Sequence, residues 1–205
     1  MNILVTGGTG FVGKALVEAL LSRGDSVTVL TRSIEKAQAI FPEKTLQFLT
    51  ALSTLKDLNT FDTVINLAGE PIFDKRWTVQ QKEKLRHSRI DLTQQIVQLI
   101  NQSEHPPFLI SGSATGIYGD GGEDVITEDT NPSTQFTAQL CIDWENAAKQ
   151  ANTRVCLVRT GLVLSPKGGA FAKILPLYRF GLGGKLGNGE QYWSWIEIGR
   201  ASCRE

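Results

Sequence analysis

The opening stretch, MNILVTGGTGFVGKALVEALLSRGDSVTVLTRS, constrains the fold more than any other part of the chain. Asn2 to Thr6 is a short apolar run that reads as a buried strand. Gly7, Gly10 and Gly13 follow at a spacing of three. Phe11, Val12, Ala15, Leu16, Ala19 and Leu20 then recur at helical period as far as Arg23-Gly24. Ser26 to Leu30 reads as a second strand. Strand, glycine turn, helix, strand is the unit that binds dinucleotides in a doubly wound parallel α/β sheet. Gly7 is expected to allow the tight turn, Gly10 to let backbone approach a pyrophosphate, and Gly13 to let the helix pack closely on the strand. The helix N-terminus offers free N–H groups and a partial positive charge to phosphate.

The end of the second strand speaks to which dinucleotide. An NAD site usually places an acid there, about 20 residues past the glycines, to hold the ribose 2′-OH. Here the strand ends Thr31-Arg32-Ser33, with Lys36 a turn later and no acid before Glu35. A guanidinium can stack on adenine and pair with a 2′-phosphate. The stretch therefore reads as a site for NADP(H) rather than NAD(H).

The remaining chain continues the alternation. Ile34 to Phe41 is expected to be a helix stopped by Pro42, and Leu46 to Leu49 a third strand. Phe61 to Leu67 is expected to be the next strand, ending at Ala68-Gly69 on the same rim as the glycine turn. A polar helix and an apolar-striped stretch, Ser88 to Asn101, come next, with Arg86, His87 and Arg89 reading as ordinary solvated charges. Phe108 to Ser111 leads into SGSATGIYGDGGE, which puts the hydroxyls of Ser111, Ser113, Thr115 and Tyr118 at the carboxyl end of a parallel strand, where open α/β sheets bind ligands. Gln139 to Ala151 reads as a helix and Val155 to Val158 as a sixth strand. Ala170 to Phe180 reads as a helix kinked at Pro176, followed by a glycine-rich loop. Tyr192, Trp193 and Trp195 are dense enough to be expected in a core.

A chain of 205 residues suffices for one domain with a real core. Its 21 basic and 21 acidic residues balance, so no charge field points to nucleic acid or membrane. It contains no 18-residue apolar run, so no transmembrane helix is expected, and it enters a strand at once, so no signal peptide is expected. Cys141, Cys156 and Cys203 are odd in number and scattered, which argues for reduced thiols and a cytoplasmic setting over disulfides or a metal site. A small-molecule partner is expected; its identity and any homo-oligomer stay open.

Taken together, TGGTGFVG, VTVLTR, VINLAGEPI, RW with SR twelve residues on, SGSATGIYGD, TED, WE, VRTGLVLSPKGGA, FGLGGKLGNGEQ and WSWI resemble the extended short-chain dehydrogenase/reductases, in a branch labelled NAD-dependent epimerase/dehydratase-like or sugar-nucleotide epimerase-like. The resemblance spans residues 1–197. It implies a Rossmann domain, taken here as 1–165, and a smaller substrate-binding part beginning at 166–197, most of which lies beyond this chain. The last eight residues, 198–205, fit no element and match the reading frame of a common sequencing adapter, so they are expected to be a non-native tail. By position the resemblance implies cofactor contacts at Gly7, Thr9, Gly10, Phe11, Val12, Thr31, Arg32, Leu67, Ala68 and Arg89, and makes Ser113 the hydroxyl that bonds the reacting oxygen.

One part of the family pattern is missing. Active members carry Tyr-x-x-x-Lys on the helix after that strand, the tyrosine as acid/base and the lysine as the cation that activates it. The corresponding positions hold Thr137 and Cys141. Tyr118 is then the best remaining acid/base candidate. Three readings stay open: an NADP(H)-dependent oxidoreductase or epimerase, a non-catalytic NADP(H)-binding sensor or scaffold, and a nucleotide-sugar dehydratase.

Overall fold

A computed structural model describes residues 1–42, 45–185 and 187–201. Six parallel strands form the main sheet: β1 (Asn2–Thr6), β2 (Ser26–Leu30), β3 (Gln47–Leu49), β4 (Thr63–Asn66), β5 (Phe108–Ala114) and β6 (Val155–Thr160). Their spatial order is β3-β2-β1-β4-β5-β6. The order reverses between β1 and β4, which pair in register from Ile3 with Thr63 to Thr6 with Asn66. A crevice opens at such a switch point, beyond the carboxyl ends of the strands.

The apolar runs sit in the middle of the sheet because both faces are covered. On one face Ile3 and Val5 of β1 and Val27 and Val29 of β2 meet Val17 and Leu20 of α1 (Phe11–Ser22), with Phe41 after α2 (Ile34–Ile40). On the other, Leu4, Val64 and Leu109 meet Ile96, Val97 and Ile100 of α3 (Val79–Gln102) and Ala148 of α4 (Phe136–Ala148). Thus β1 alternates between two cores while reading as one continuous apolar run. The polar stretch and Ser88 to Asn101 form one 24-residue helix, not two, opened by Thr78, whose hydroxyl accepts from the Gln81 amide. No helix among the described residues is long and apolar enough to cross a membrane.

The expected strands shift at their edges. β4 is shorter than the apolar run, while β5 and β6 run on to Ala114 and Thr160. This places Ser111 inside β5 instead of at its end; it is fully buried and its hydroxyl has no hydrogen-bond partner among the described residues.

After β6 the chain leaves the main sheet. β7 (Leu162–Leu164) pairs in parallel with β8 (Trp195–Glu197), and α5 (Gly169–Arg179), with Pro176 inside it, lies between them in sequence. The aromatics expected in a core are instead exposed, Tyr192 at 72%, Trp193 at 49% and Trp195 at 65%, because no described element packs over this outer side. The tail expected to fit no element forms a short helix, α6 (Ile198–Ala201), in contact with α1. The Glu197 carboxylate accepts from the Gly199 amide at its start, at 2.6 Å. Residues 202–205, including Cys203, lie outside the described set.

Candidate functional site

The glycine turn is built by contact distances that leave no space for side chains. Gly7 has φ +70°, a left-handed backbone that favours glycine, and a Cβ there would lie 2.7 Å from the Leu67 carbonyl carbon and 2.8 Å from the Ala68 nitrogen. A Cβ on Gly13 would lie 2.1 Å from the Gly7 oxygen. Gly13 thus presses α1 against the turn itself. The Gly10 amide donates to the Gly7 oxygen at 2.9 Å, and Gly10 is the N-cap of α1 without any capping side chain. The amides of Phe11, Val12 and Gly13 are therefore the helix-opening donors that no intrahelical carbonyl serves, and α1 has no acid in its first turn. Such an end suits an anion.

The structure brings Gly7, Thr9, Gly10, Phe11, Val12, Leu67 and Ala68 together at this rim. A buried polar network fixes the crevice floor: the Thr6 hydroxyl donates to Asn66 Oδ1 at 2.7 Å, and Asn66 Nδ2 donates to Thr93 Oγ1 at 2.8 Å. Trp144 Nε1 donates to the same Thr93 oxygen at 3.0 Å. Thr31 is buried at the end of β2, and its hydroxyl accepts from the Ser33 amide. The Ser33 hydroxyl then caps α2 through the Lys36 amide. Arg32 between them is exposed. The Glu70 carboxyl is held below its ordinary range, first by a hydrogen bond from Lys75, with Gln81 and the charge of Arg32 adding to it against the opposing effect of burial.

Arg89, which local sequence ranked with the solvated charges, is half-buried. It donates through Nη2 to the Glu70 carbonyl at 3.0 Å and through Nη1 to the Leu85 carbonyl at 3.2 Å, and its guanidinium lies 5.4 Å from the Trp144 ring centre. Burial pushes its pKa down, partly offset by Cys141 and Glu70. Gly69 makes room for it, since a Cβ there would sit 2.7 Å from Arg89 Cζ. Its neighbour His87 stays exposed, paired only with Asp91 at 2.9 Å.

Ser113 and Tyr118 belong to one hydrogen-bonded chain, and its two connecting members were not singled out from sequence. The Ser113 hydroxyl donates to Glu145 Oε1 at 2.7 Å. Arg159 grips that carboxylate with both ends of its fork, Nε to Oε1 at 2.8 Å and Nη2 to Oε2 at 2.9 Å. Arg159 Nη1 donates to the Tyr118 hydroxyl oxygen at 2.6 Å and to the Glu128 carbonyl at 2.9 Å. Ser113 and Arg159 are register partners on β5 and β6. Glu145 is only 2% exposed. Burial alone would raise its carboxyl, but the hydrogen bonds from Arg159 and Ser113 and the charges of Arg159 and Lys149 outweigh this and hold it below the usual range. The Arg159 guanidinium is correspondingly raised, chiefly by its hydrogen bonds to Glu145. The signal in sequence was an acid after Trp144 on a helix facing a strand that ends in Arg, visible only once the two are paired in space.

Cys141 is buried close to Ser113, and burial raises its thiol. A cavity of about 820 Å³ lies elsewhere, at the amino-terminal rim between Asn2, Asp25, Thr28 and Gln47. None of the residues above lines it.

Residues 3–199 match the model of the NAD dependent epimerase/dehydratase family. The chain belongs to this family. It is an NAD(P)-binding fold of the Rossmann type. An Arabidopsis thaliana protein called epimerase family protein SDR39U1 homolog, chloroplastic, is 38% identical over 97% of this chain. The Mycobacterium bovis epimerase family protein Mb2239 is 39% identical over 96%. The chain spans 59% and 65% of the length of these two relatives. Among solved structures, human epimerase family protein SDR39U1, crystallised with NADPH, is similar over 97% of this chain and 66% of its own, at 32% identity and a TM-score of 0.85.

Proposed function

We propose that this family member binds NADP(H) and acts as an oxidoreductase or epimerase-type enzyme on a small carbonyl compound or sugar nucleotide. One observation carries the cofactor reading: an uncapped α1 N-terminus at the switch point is flanked by an exposed Arg32 at the end of β2. Gly7, Thr9, Gly10, Phe11, Val12 and Gly13 would hold the pyrophosphate, Thr31 and Arg32 the phosphorylated ribose, and Leu67, Ala68 and Arg89 the floor of the site. The relative solved with NADPH supports the choice of phosphate. When bound, the nicotinamide supplies or removes the hydride.

The protein's own groups handle the oxygen. Ser113 gives its hydrogen to Glu145 and so presents a lone pair, which accepts from a substrate hydroxyl. Tyr118 accepts from Arg159 and so keeps its own hydrogen free, to be given to a substrate oxygen. Thr137 and Cys141 favour a second reading, a cofactor-binding sensor without turnover, because no lysine donates to either hydroxyl among the described residues. The free thiols of Cys141 and Cys156 suit a reducing compartment such as the cytoplasm.

The test is Arg32→Glu. Loss of a charge-assisted phosphate contact is expected to weaken NADPH by roughly tenfold to a hundredfold and leave NADH nearly unchanged. Equal affinities of parent and variant for NADPH, measured by calorimetry, would remove the 2′-phosphate reading. Turnover lost in Tyr118→Phe with binding kept favours the enzyme; tight binding with no turnover across a carbonyl and nucleotide-sugar panel favours the sensor.

A further inference from the structure

Phe11 is the first residue of α1, directly after the uncapped Gly10. Its half-buried ring meets the Gly168-Gly169 pair, which opens α5. A Cβ on Gly168 would lie 2.6 Å from ring atom Cδ2 and 2.8 Å from Cε2; one on Gly169 would lie 3.0 Å from Cε1 and 3.4 Å from Cδ1. Both edges of one ring therefore touch glycine backbone.

The two glycines are needed for different reasons. Gly169 has φ +71°, so its backbone alone favours glycine. Gly168 is fully extended, φ −179° and ψ −177°, a conformation any residue adopts. Only the Phe11 ring excludes a side chain there. Gly168 also closes a turn by bridging Ser165, but that extended backbone does not itself require glycine, so the missing side chain at 168 serves the contact with Phe11.

α5 lies against β7, with residues 169–172, 174 and 175 partly covered. None of its residues is buried, and Lys173 reaches Asp74 through an exposed ion pair. On the other side of the contact, the Phe11 amide is one of the helix-opening donors, so a clash relieved by a shift of the Phe11 backbone would move that N–H.

We propose that Gly168-Gly169 is a seat for the Phe11 ring, by which the segment opening α5 positions the dinucleotide turn, so that cofactor binding and docking of this segment are coupled. The inference rests on the dinucleotide reading above. Coupling of this kind is reciprocal: a displaced segment weakens cofactor binding, and bound cofactor holds the segment down.

A double-mutant cycle on the full chain tests it, with NADPH affinity read by fluorescence. Gly168→Ala is expected to weaken NADPH about tenfold. In a Phe11→Ala background the same change should alter affinity less than about twofold, because the added methyl meets nothing. Hydrogen exchange supplies a second readout: NADPH should slow amide exchange across 169–179 in the parent and fail to do so in Gly168→Ala. Should Gly168→Ala not fold, Phe11→Leu gives the same answer, since a shorter side chain leaves the seat and 169–179 should exchange faster with NADPH bound. An equal loss with and without the ring, or unchanged exchange in Phe11→Leu, overturns the seat. If the parent itself binds no NADPH, the cofactor reading falls; if the parent binds and Gly168→Ala binds equally well, the seat alone falls.

Discussion

In the main sheet β4 is buried at all four positions and β1 at four of five, whereas α5 has no buried residue among its eleven. The sheet is sandwiched between α1 and α2 on one face and α3 and α4 on the other, and the apolar residues of the central strands β1 and β4 lie in a core, while Val158 on the edge strand β6 is exposed. The segment from Leu162 onward is tied down by a few particular contacts: Phe11 against Gly168-Gly169, Thr115 Oγ1 to Ser194 Oγ at 2.8 Å, and the Leu162 amide to the Ser194 oxygen at 2.8 Å. The difference teaches where precision comes from in each. In the sheet it follows from general burial, so the rim is placed by everything beneath it. In the later segment it depends on a few side-chain contacts and one short backbone pairing, and losing one is felt locally.

The comparison can be broken most directly at the Glu145–Arg159 pair, which is the charged part of the well-packed region. Arg159→Ala would leave a 2%-exposed carboxylate with Ser113 and the longer ion pair to the exposed Lys149 at 3.8 Å. Loss of one partner of a buried pair costs about 3 kcal/mol or more, read by urea unfolding. A change under about 1 kcal/mol would show that the pair is a surface feature. The same carboxylate gives an acid signature. Its folded-state pKa is depressed, so its contribution is complete above the ordinary glutamate range and is lost as pH falls through the lower folded value. Glu145→Gln should flatten the loss of stability on acidification in that window, and a slope identical to the parent's would refute it.

Next in size is Gly13→Ala. The added carbon would sit 2.1 Å from the Gly7 oxygen, so α1 must move off the turn. Overpacking of this kind costs about 1–3 kcal/mol, and NADPH affinity should fall with it. Unchanged melting and unchanged affinity would mean that the turn is looser than these contacts imply.

The smallest effect is expected in the later segment. Tyr192→Ser alters a side chain that is 72% exposed and should change stability by less than about 0.5 kcal/mol. A loss of 2 kcal/mol would mean that this segment has a core of its own, and the contrast between the two regions would fail.

The glycine turn and the α1 N-terminus of the candidate cofactor rim were legible in the sequence because their determinants are local. Glycine spacing, the apolar strand before it and the helical period after it all lie within α1 and its flanks, and backbone sterics turn them into one geometry. The place of Arg32, two residues past the end of β2, was legible for the same reason. Arg89 was named only through the family resemblance; its burial was not legible locally, because it depends on Gly69 and on Trp144, which come from a loop and a helix far apart in the chain. Ser113 and Tyr118 could be named as hydroxyls near a strand end, but which hydrogen each has free depends on Glu145 and Arg159. Tyr192, Trp193 and Trp195 were expected in a core from composition alone, and composition does not say what covers a side chain.

The sequence by itself determined the doubly wound sheet, the dinucleotide turn and the missing Tyr-x-x-x-Lys pair, since each is written in residue type and short spacing. Only the tertiary structure decided the hydrogen-bond polarity of Ser113 and Tyr118, the burial of Arg89 and the seating of Phe11. These join residues from different strands and helices, and burial and donor direction arise only when those elements pack.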